Sequence, residues 1–153
     1  MALENSDKVK NVALCVTCLA DQMLPEIGVA TVKLLRRAGY EVDFPMAQTC
    51  CGQPFFNSGF RDQAVDLAKR AIEIFEPYDA VVLPSGSCAS MMIKEYVHLF
   101  EDSEEWRRRA EKLGAKTHEL SRLLVDGGWK LTTRDKPPAL PGRLPEFDSS
   151  RNM

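Results

Sequence analysis

Three short apolar runs alternate along the chain with longer segments of helical periodicity. The runs cover residues 10–16, 41–44 and 80–84, and the first is apolar on both sides rather than alternating. A run of this kind is typical of a strand buried in a parallel sheet. The alternation predicts an α/β fold with a three-layer βαβαβ core, in which right-handed crossovers join parallel strands.

Helical spacing predicts the segments between and after these strands. Apolar positions recur three and four residues apart over residues 25–38 and 59–75. Gly39 is expected to end the first of these helices, and Asn57 or Ser58 to cap the second. Further helices are predicted from residue 88 to about 100, from the acidic stretch 101–105 to 113, and from about 117 to 125.

The chain is predicted to form one domain over residues 10–126. Its 153 residues are enough to bury one hydrophobic core. Residues 1–9 are polar and are expected to fray. From residue 127 to 153, clustered glycines and prolines break the periodicity, so this segment is predicted to be an irregular, flexible tail.

Composition and charge exclude several classes of partner. Hydrophobic residues make up 44% of the chain, charged residues 27%, and the formal net charge is -2, so nucleic acid or an anionic membrane surface is not an expected partner. No apolar run approaches the roughly 20 residues that span a bilayer. The first residues lack the basic and apolar regions of a signal peptide, which predicts a cytoplasmic protein.

All five cysteines follow predicted strands. Cys15 and Cys18 follow the first strand, Cys50 and Cys51 the second, and Cys88 the third. Ligand sites of parallel α/β sheets lie outside the carboxyl ends of the strands. Clustered cysteines in a cytosolic chain more often bind metal than form structural disulfides. The sequence therefore predicts a metal centre at this edge.

The adjacent cysteine pair favours an iron–sulfur cluster. Successive side chains diverge, so Cys50 and Cys51 cannot easily chelate one tetrahedral ion, whereas a cluster offers separate iron positions to thiolate ligands. The predicted ligands are Cys18, Cys50, Cys51 and Cys88, and Cys15 is expected to be structural. Gly52 would let the backbone approach inorganic sulfide.

Two other classes of function remain open. The CxxC formed by Cys15 and Cys18 has the spacing of a dithiol oxidoreductase. A non-catalytic interaction module, whose thiols bind zinc or nothing, is the other alternative. His98 and His118 are predicted to lie in helices away from the cysteine edge, as surface or packing residues.

Three segments carry a family resemblance. Residues 17–22 read TCLADQ, residues 48–59 read QTCCGQPFFNSG, and residues 84–88 read PSGSC. They resemble the CCG cysteine-rich domain of the lactate-utilisation protein A family, of glycolate oxidase iron–sulfur subunits and of heterodisulfide reductase. The resemblance covers roughly residues 10–126 and is most specific to the N-terminal half of the lactate-utilisation protein A family.

The resemblance implies a [4Fe–4S] electron-transfer component of the oxidation of L-lactate, or a related 2-hydroxy acid, to pyruvate. Other subunits of the complex are the implied partners, and substrate oxidation itself would need them, so this chain carries no catalytic residue of its own. Five residues are expected beside the ligands, where hydrogen bonds and charge would tune the potential. They are Asp21, Gly52, Gln53, Asn57 and Ser85.

The chain departs from the family pattern in two respects. The pattern is a cysteine, a CC pair and a CxxC, and here 31 residues separate Cys18 from Cys50 and 33 separate Cys51 from Ser85. Ser85 stands where the first cysteine of the CxxC would be, so the centre is either a four-thiolate cluster or one that recruits Cys15. Relatives carry two copies of the domain and this chain one, which leaves three alternatives: a truncated form, a form that has lost activity, or a form that a partner completes.

Overall fold

The computed structural model describes residues 11–128, and the predicted N-terminal fraying and nearly all of the predicted tail lie outside that range. Within it, four parallel strands form one sheet in the order β2-β1-β3-β4. The predicted α/β class is confirmed. The strands are β1 (Asn11–Leu14), β2 (Glu41–Asp43), β3 (Ala80–Leu83) and β4 (Thr117–Glu119).

Helices cover both faces of this sheet. The helices are α1 (Cys18–Met23), α2 (Glu26–Arg37), α3 (Gln53–Asn57), α4 (Arg61–Phe75), α5 (Gly86–Ser90), α6 (Tyr96–Leu99), α7 (Glu104–Ala115) and α8 (Leu120–Asp126), with a π-helical segment at Met91–Glu95 between α5 and α6. The β1-to-β2 crossover runs in the opposite direction to the later two. Right-handed connections therefore place their helices on opposite sides.

The two sides differ in depth. Helices α4, α5, α6 and α7 form what we call the four-helix face, whose core includes Phe75, Leu83 and Leu113. Helices α2 and α8 form the two-helix face, where Val12, Leu35, Ala80 and Val82 are buried. The buried residues of α4 belong to this first core and recur at helical spacing, as the apolar stripe predicted for residues 59–75 implies. They are Ala64, Ala68, Ala71, Ile72 and Phe75.

The helix predicted from about residue 117 to 125 begins only at Leu120 in the structure. Thr117 to Glu119 form the edge strand β4, which pairs with β3, and only then does α8 begin. Polar Thr117 and His118 gave no strand signal. Backbone pairing with the buried strand β3 overrides that local preference, and the Thr117 hydroxyl donates to the Leu113 carbonyl at 2.7 Å.

Two other helical segments differ from the prediction. Neither Asn57 nor Ser58 caps the long helix: Asn57 ends α3, Gly59 at φ 81° breaks the path, and α4 begins after Phe60. The helix predicted from residue 88 to 100 is interrupted by the π-helical segment. Gly114 of α7 packs there, so closely that a Cβ would lie 3.1 Å from the Ile93 carbonyl oxygen.

Candidate metal centre

The structure brings all five cysteines to the carboxyl edge of the sheet. The Cys18 and Cys50 sulfurs lie 3.7 Å apart, although 31 residues separate them in sequence. Cys51 and Cys88 lie close enough to shift each other's pKa, and the Cys15 thiol interacts electrostatically with Cys18, Cys50 and Cys88. The carboxyl ends of three parallel strands thus deliver the thiols to one site, as the strand pattern predicts.

Cys15 is the innermost thiol. It is 3% exposed, belongs to the core of the four-helix face, and its backbone N–H donates to the Val82 carbonyl at 2.9 Å. Burial raises the pKa of Cys15 to about 12, and the neighbouring thiols add to the rise. A buried thiol that stays protonated fits the expected structural role, and it gives no support to the Cys15–Cys18 dithiol alternative.

Cys18 is the outermost thiol and begins α1. Thr17 caps that helix by accepting a hydrogen bond from the Ala20 N–H at 3.3 Å. The Leu19 N–H donates to the Cys18 sulfur, yet burial of the group and the contact with Cys50 raise its pKa. Cys18 is exposed, so the site opens to solvent on this side.

Gly52 shapes the loop formed by Cys50, Cys51 and Gly52, which we call the CCG loop. Its φ is 88°, in the left-handed region that favours glycine. A Cβ at this position would lie 3.4 Å from the Ala64 carbonyl oxygen and from the Leu67 Cβ, so the space that glycine leaves faces α4. The Gly52 N–H donates to the Cys50 sulfur at 3.4 Å, and the Gln53 N–H donates to the Cys51 sulfur.

Cys88 lies in α5, and it is the thiol whose ionised form its surroundings stabilise most. The hydrogen bond from Cys51 is the largest cause, the Ser85 and Ser87 hydroxyls add to it, and together they lower the pKa of Cys88 to about 6 despite the opposing effect of burial. The pKa of the donor Cys51 is raised, chiefly by the same hydrogen bond. Ser85 thus touches the thiol beside which it was predicted.

Of the other residues expected beside the ligands, Asp21 and Gln53 lie close to the cysteines, and Asn57 does not line the cavity beside them. Asp21 lines a cavity of about 360 Å³ together with Cys18 and Cys50, and it accepts a hydrogen bond from Gln22. Gln53 contributes through its backbone N–H. Asn57 is exposed at the end of α3 and does not line this cavity.

Two residues that hold the loops were missed by sequence reasoning. The side-chain amide of Gln48 bonds to Leu14, Val16 and Pro45. The hydroxyl of the fully buried Tyr96 donates to the Cys51 carbonyl at 2.8 Å. Gln48 stands two residues before the cysteine pair, which is a usable signal, whereas nothing in the sequence points from residue 96 to residue 51.

The donor set agrees chemically with an iron–sulfur cluster. Backbone N–H groups donate to the sulfurs of Cys18, Cys50 and Cys51, as they do to cluster thiolates in general. Over residues 11–128, no group of three or more His, Cys, Asp or Glu side chains has the arrangement that holds one metal ion. The ligand assignment therefore remains a prediction.

The two histidines lie outside this constellation. His98 is exposed on α6, and His118 is half-buried in β4 rather than in a helix, where burial lowers its pKa. Neither lines the cavity beside Cys18 and Cys50. Among the helices that the structure describes, none is both long and apolar enough to cross a membrane.

Comparisons with known proteins identify the family of this chain. A family model described as the CCG cysteine-rich domain matches residues 12–93. Lactate utilization protein A of Exiguobacterium sp. is 54% identical over 118 residues, which cover 76% of this chain and 48% of that protein. The protein of the same name from Geobacillus thermodenitrificans is 49% identical over 132 residues, which cover 86% and 54%.

A third relative gives the same proportions. Lactate utilization protein A of Shouchella clausii is 54% identical over 115 residues, covering 75% of this chain and 48% of its own length. The chain thus spans about half the length of the curated relatives it matches. No solved structure matches it significantly. On the family match over residues 12–93 and the identity to these relatives, the chain belongs to the CCG cysteine-rich domain family.

Proposed function

We propose that this chain is an iron–sulfur electron-transfer component of L-lactate, or related 2-hydroxy acid, oxidation to pyruvate. The observation that carries the proposal is the meeting of five thiols, from three separate segments, at one edge of the sheet. The names of the relatives supply the metabolic context. The proposed domain is residues 10–126, acting in the cytoplasm with partner subunits.

Cys18, Cys50, Cys51 and Cys88 would hold a [4Fe–4S] cluster. Such a cluster, when bound, accepts and releases electrons one at a time. The chain's own groups prepare the thiolates: the N–H of Gly52 donates to Cys50. The Ser85 and Ser87 hydroxyls stabilise the Cys88 thiolate.

Oxidation of a 2-hydroxy acid to a 2-oxo acid removes two electrons and two protons. The hydroxy acid itself would be oxidised on a partner subunit, and this chain would receive its electrons from there. The open side of the site at Cys18 is where electrons would enter or leave. Cys15, buried behind it, closes the inner side.

Anaerobic reconstitution tests the proposal. The full chain, incubated with iron and sulfide, should take up both and show the absorbance and EPR signals of a cluster. Cys50→Ser and Cys51→Ser should abolish these signals, while Cys15→Ala should keep them because that thiol is part of the core. A wild-type chain that binds no iron, or a signal unchanged in both serine variants, contradicts the proposal.

A further inference from the structure

Gln48 joins the two loops that carry the outer thiols. Its side-chain Nε2 donates to the Leu14 carbonyl at 3.0 Å, and its Oε1 accepts from the Val16 N–H at 2.9 Å. Nε2 also donates to the Pro45 carbonyl at 3.1 Å, within its own loop. The amide thus makes two hydrogen bonds to the end of β1, across 34 and 32 residues of sequence, and a third within its own loop.

The pattern of these bonds is that of a parallel β-bridge. In a parallel ladder, the N–H of one residue donates to the carbonyl of residue i−1 on the neighbouring strand, and the C=O of the same residue accepts from the N–H of residue i+1. Here the amide of Gln48 makes both bonds to the residues that flank Cys15. Strand β2 pairs with β1 only as far as Ala13, and the amide continues that edge where the strand has ended.

The position of Gln48 connects this bridge to both outer thiols. Cys50 is two residues after Gln48, and Cys18 is two residues after Val16. In the segment between β2 and Gln48, Phe44 is partly covered at 37% exposed, whereas Met46 at 86% exposed adds almost no packing. The amide is therefore a main link between the Cys50 loop and the end of β1.

We infer that Gln48 is a positioning residue that sets the separation of the Cys18 and Cys50 sulfurs. Those sulfurs lie 3.7 Å apart on the solvent side of the site. Without the amide, the Cys50 loop loses its tie to the end of β1 and the two thiols separate. That the thiols so placed hold a cluster rests on the proposed function, whereas their spacing does not.

The spacing can be tested in the reduced chain without any cluster. Phenylarsine oxide bridges two neighbouring thiols, forming two As–S bonds and releasing water with no change of oxidation state. The signal that disappears in Cys18→Ser reports this pair. Gln48→Met keeps side-chain length and removes the amide, and it should weaken bridging by roughly tenfold, since a few hydrogen bonds of ordinary strength are lost.

Gln22→Met is the matched control. Gln22 lines the same cavity, but its side chain bonds only to its neighbour Asp21, so bridging should stay at the wild-type level. In the reconstituted chain, Gln48→Met should also shift the reduction potential and the EPR line shape. Should Gln48→Met fail to fold, Gln48→Glu keeps the acceptor for Val16, lacks the two donated bonds, and is measured in the same way.

The outcomes separate the two proposals. Folded Gln48 variants that bridge arsenic as tightly as the wild type overturn the positioning role, whatever happens with iron. A wild-type chain that takes up no cluster, together with the tenfold loss of bridging in Gln48→Met, overturns the proposed function and upholds the role of Gln48.

Discussion

The two faces of the sheet are built to different depths. Eighteen buried residues make up the core of the four-helix face, against four on the two-helix face over residues 11–128. Exposed apolar side chains remain on the helices of the thinner side, where Val29 of α2 is 55% and Val125 of α8 70% exposed. The first face is held by close packing, and the second depends far more on backbone pairing and individual polar contacts.

The candidate metal centre straddles this division. Cys15 and Cys51 belong to the deep core, and Cys88 packs against it. Cys18 and Cys50 lie at the outer side, where the Gln48 amide supplies the connection. The inner half of the site is thus positioned by the fold as a whole, and the outer half by a few hydrogen bonds.

The largest expected effect compares one leucine from each core. Leu113 and Leu35 are both fully buried, in the four-helix and two-helix cores respectively. Leu113→Ala should lower the free energy of unfolding by about 4 kcal/mol, because its neighbours cannot collapse into the void. Leu35→Ala should lower it by about 2 kcal/mol, because water and partly buried side chains can reach the void. Urea denaturation measures both.

Equal losses at the two positions would break the comparison. The exposed Val125 offers a baseline, since Val125→Ala removes an apolar side chain without opening a void and should change the unfolding free energy little.

Gly52 gives the next largest effect. Gly52→Ala should cost about 2 kcal/mol, because the residue must keep φ 88° and its new Cβ meets α4. Gly59→Ala is the control: φ is 81° but the space around it is open, so about 1 kcal/mol of backbone strain is expected. Thermal unfolding of the two variants isolates the packing contribution. A Gly59→Ala variant as damaged as Gly52→Ala would show that backbone strain alone matters.

Tyr96→Phe tests the anchoring of the inner half. The variant leaves the buried Cys51 carbonyl without its 2.8 Å hydrogen bond, which should lower the unfolding free energy by about 1 kcal/mol. Tyr78→Phe is a useful comparison, since its hydroxyl bonds to the exposed Asp43 and water can replace it. Chemical denaturation of both variants should find the larger loss at residue 96, and the reverse order would contradict the assignment.

The smallest effect concerns acid stability on the four-helix face. Arg109 stacks over Trp106 and donates two hydrogen bonds to Glu76, which lowers the pKa of that carboxyl below 4.5. A lowered folded-state pKa stabilises the protein above about pH 4.5, and the contribution is lost as pH falls further. After allowance for solvent screening it is about 0.5 kcal/mol.

In Glu76→Gln, the melting temperature should therefore fall less steeply below pH 4.5 than in the wild type. At neutral pH, the melting temperature of this variant should be slightly lower than that of the wild type. A wild-type slope in the Glu76 variant would mean that the pair does not couple to folding.

Much of the fold follows from local patterns in the sequence. Strands β1 and β3 are short apolar runs, and α4 carries apolar residues at helical spacing, so the sequence predicts both kinds of element. Strand β4 was not, because its Thr-His-Glu sequence becomes a strand only through pairing with β3. The π-helical segment likewise depends on the approach of Gly114 from α7.

The site divides in the same way. That the cysteines meet follows from their places after strands, which is a topological argument needing no side-chain detail. The functions of Gln48 and Tyr96 depend on contacts across 34 and 45 residues of sequence, and no local pattern encodes such contacts. The expected role of Gly52 toward sulfide stays a prediction, whereas the proximity of its Cα to α4 was not foreseen from the sequence.

The π-helical segment fixes the chain length between two parts of the molecule. Cys88 precedes it and faces the other thiols, and Tyr96 follows it and reaches under the CCG loop. Each helical residue turns the path by about 100°. Deleting one residue from 91–95 would leave an ordinary helix but swing the tyrosine away from its carbonyl. Homologous chains that keep both contacts should therefore keep the length of this turn, with neither insertions nor deletions.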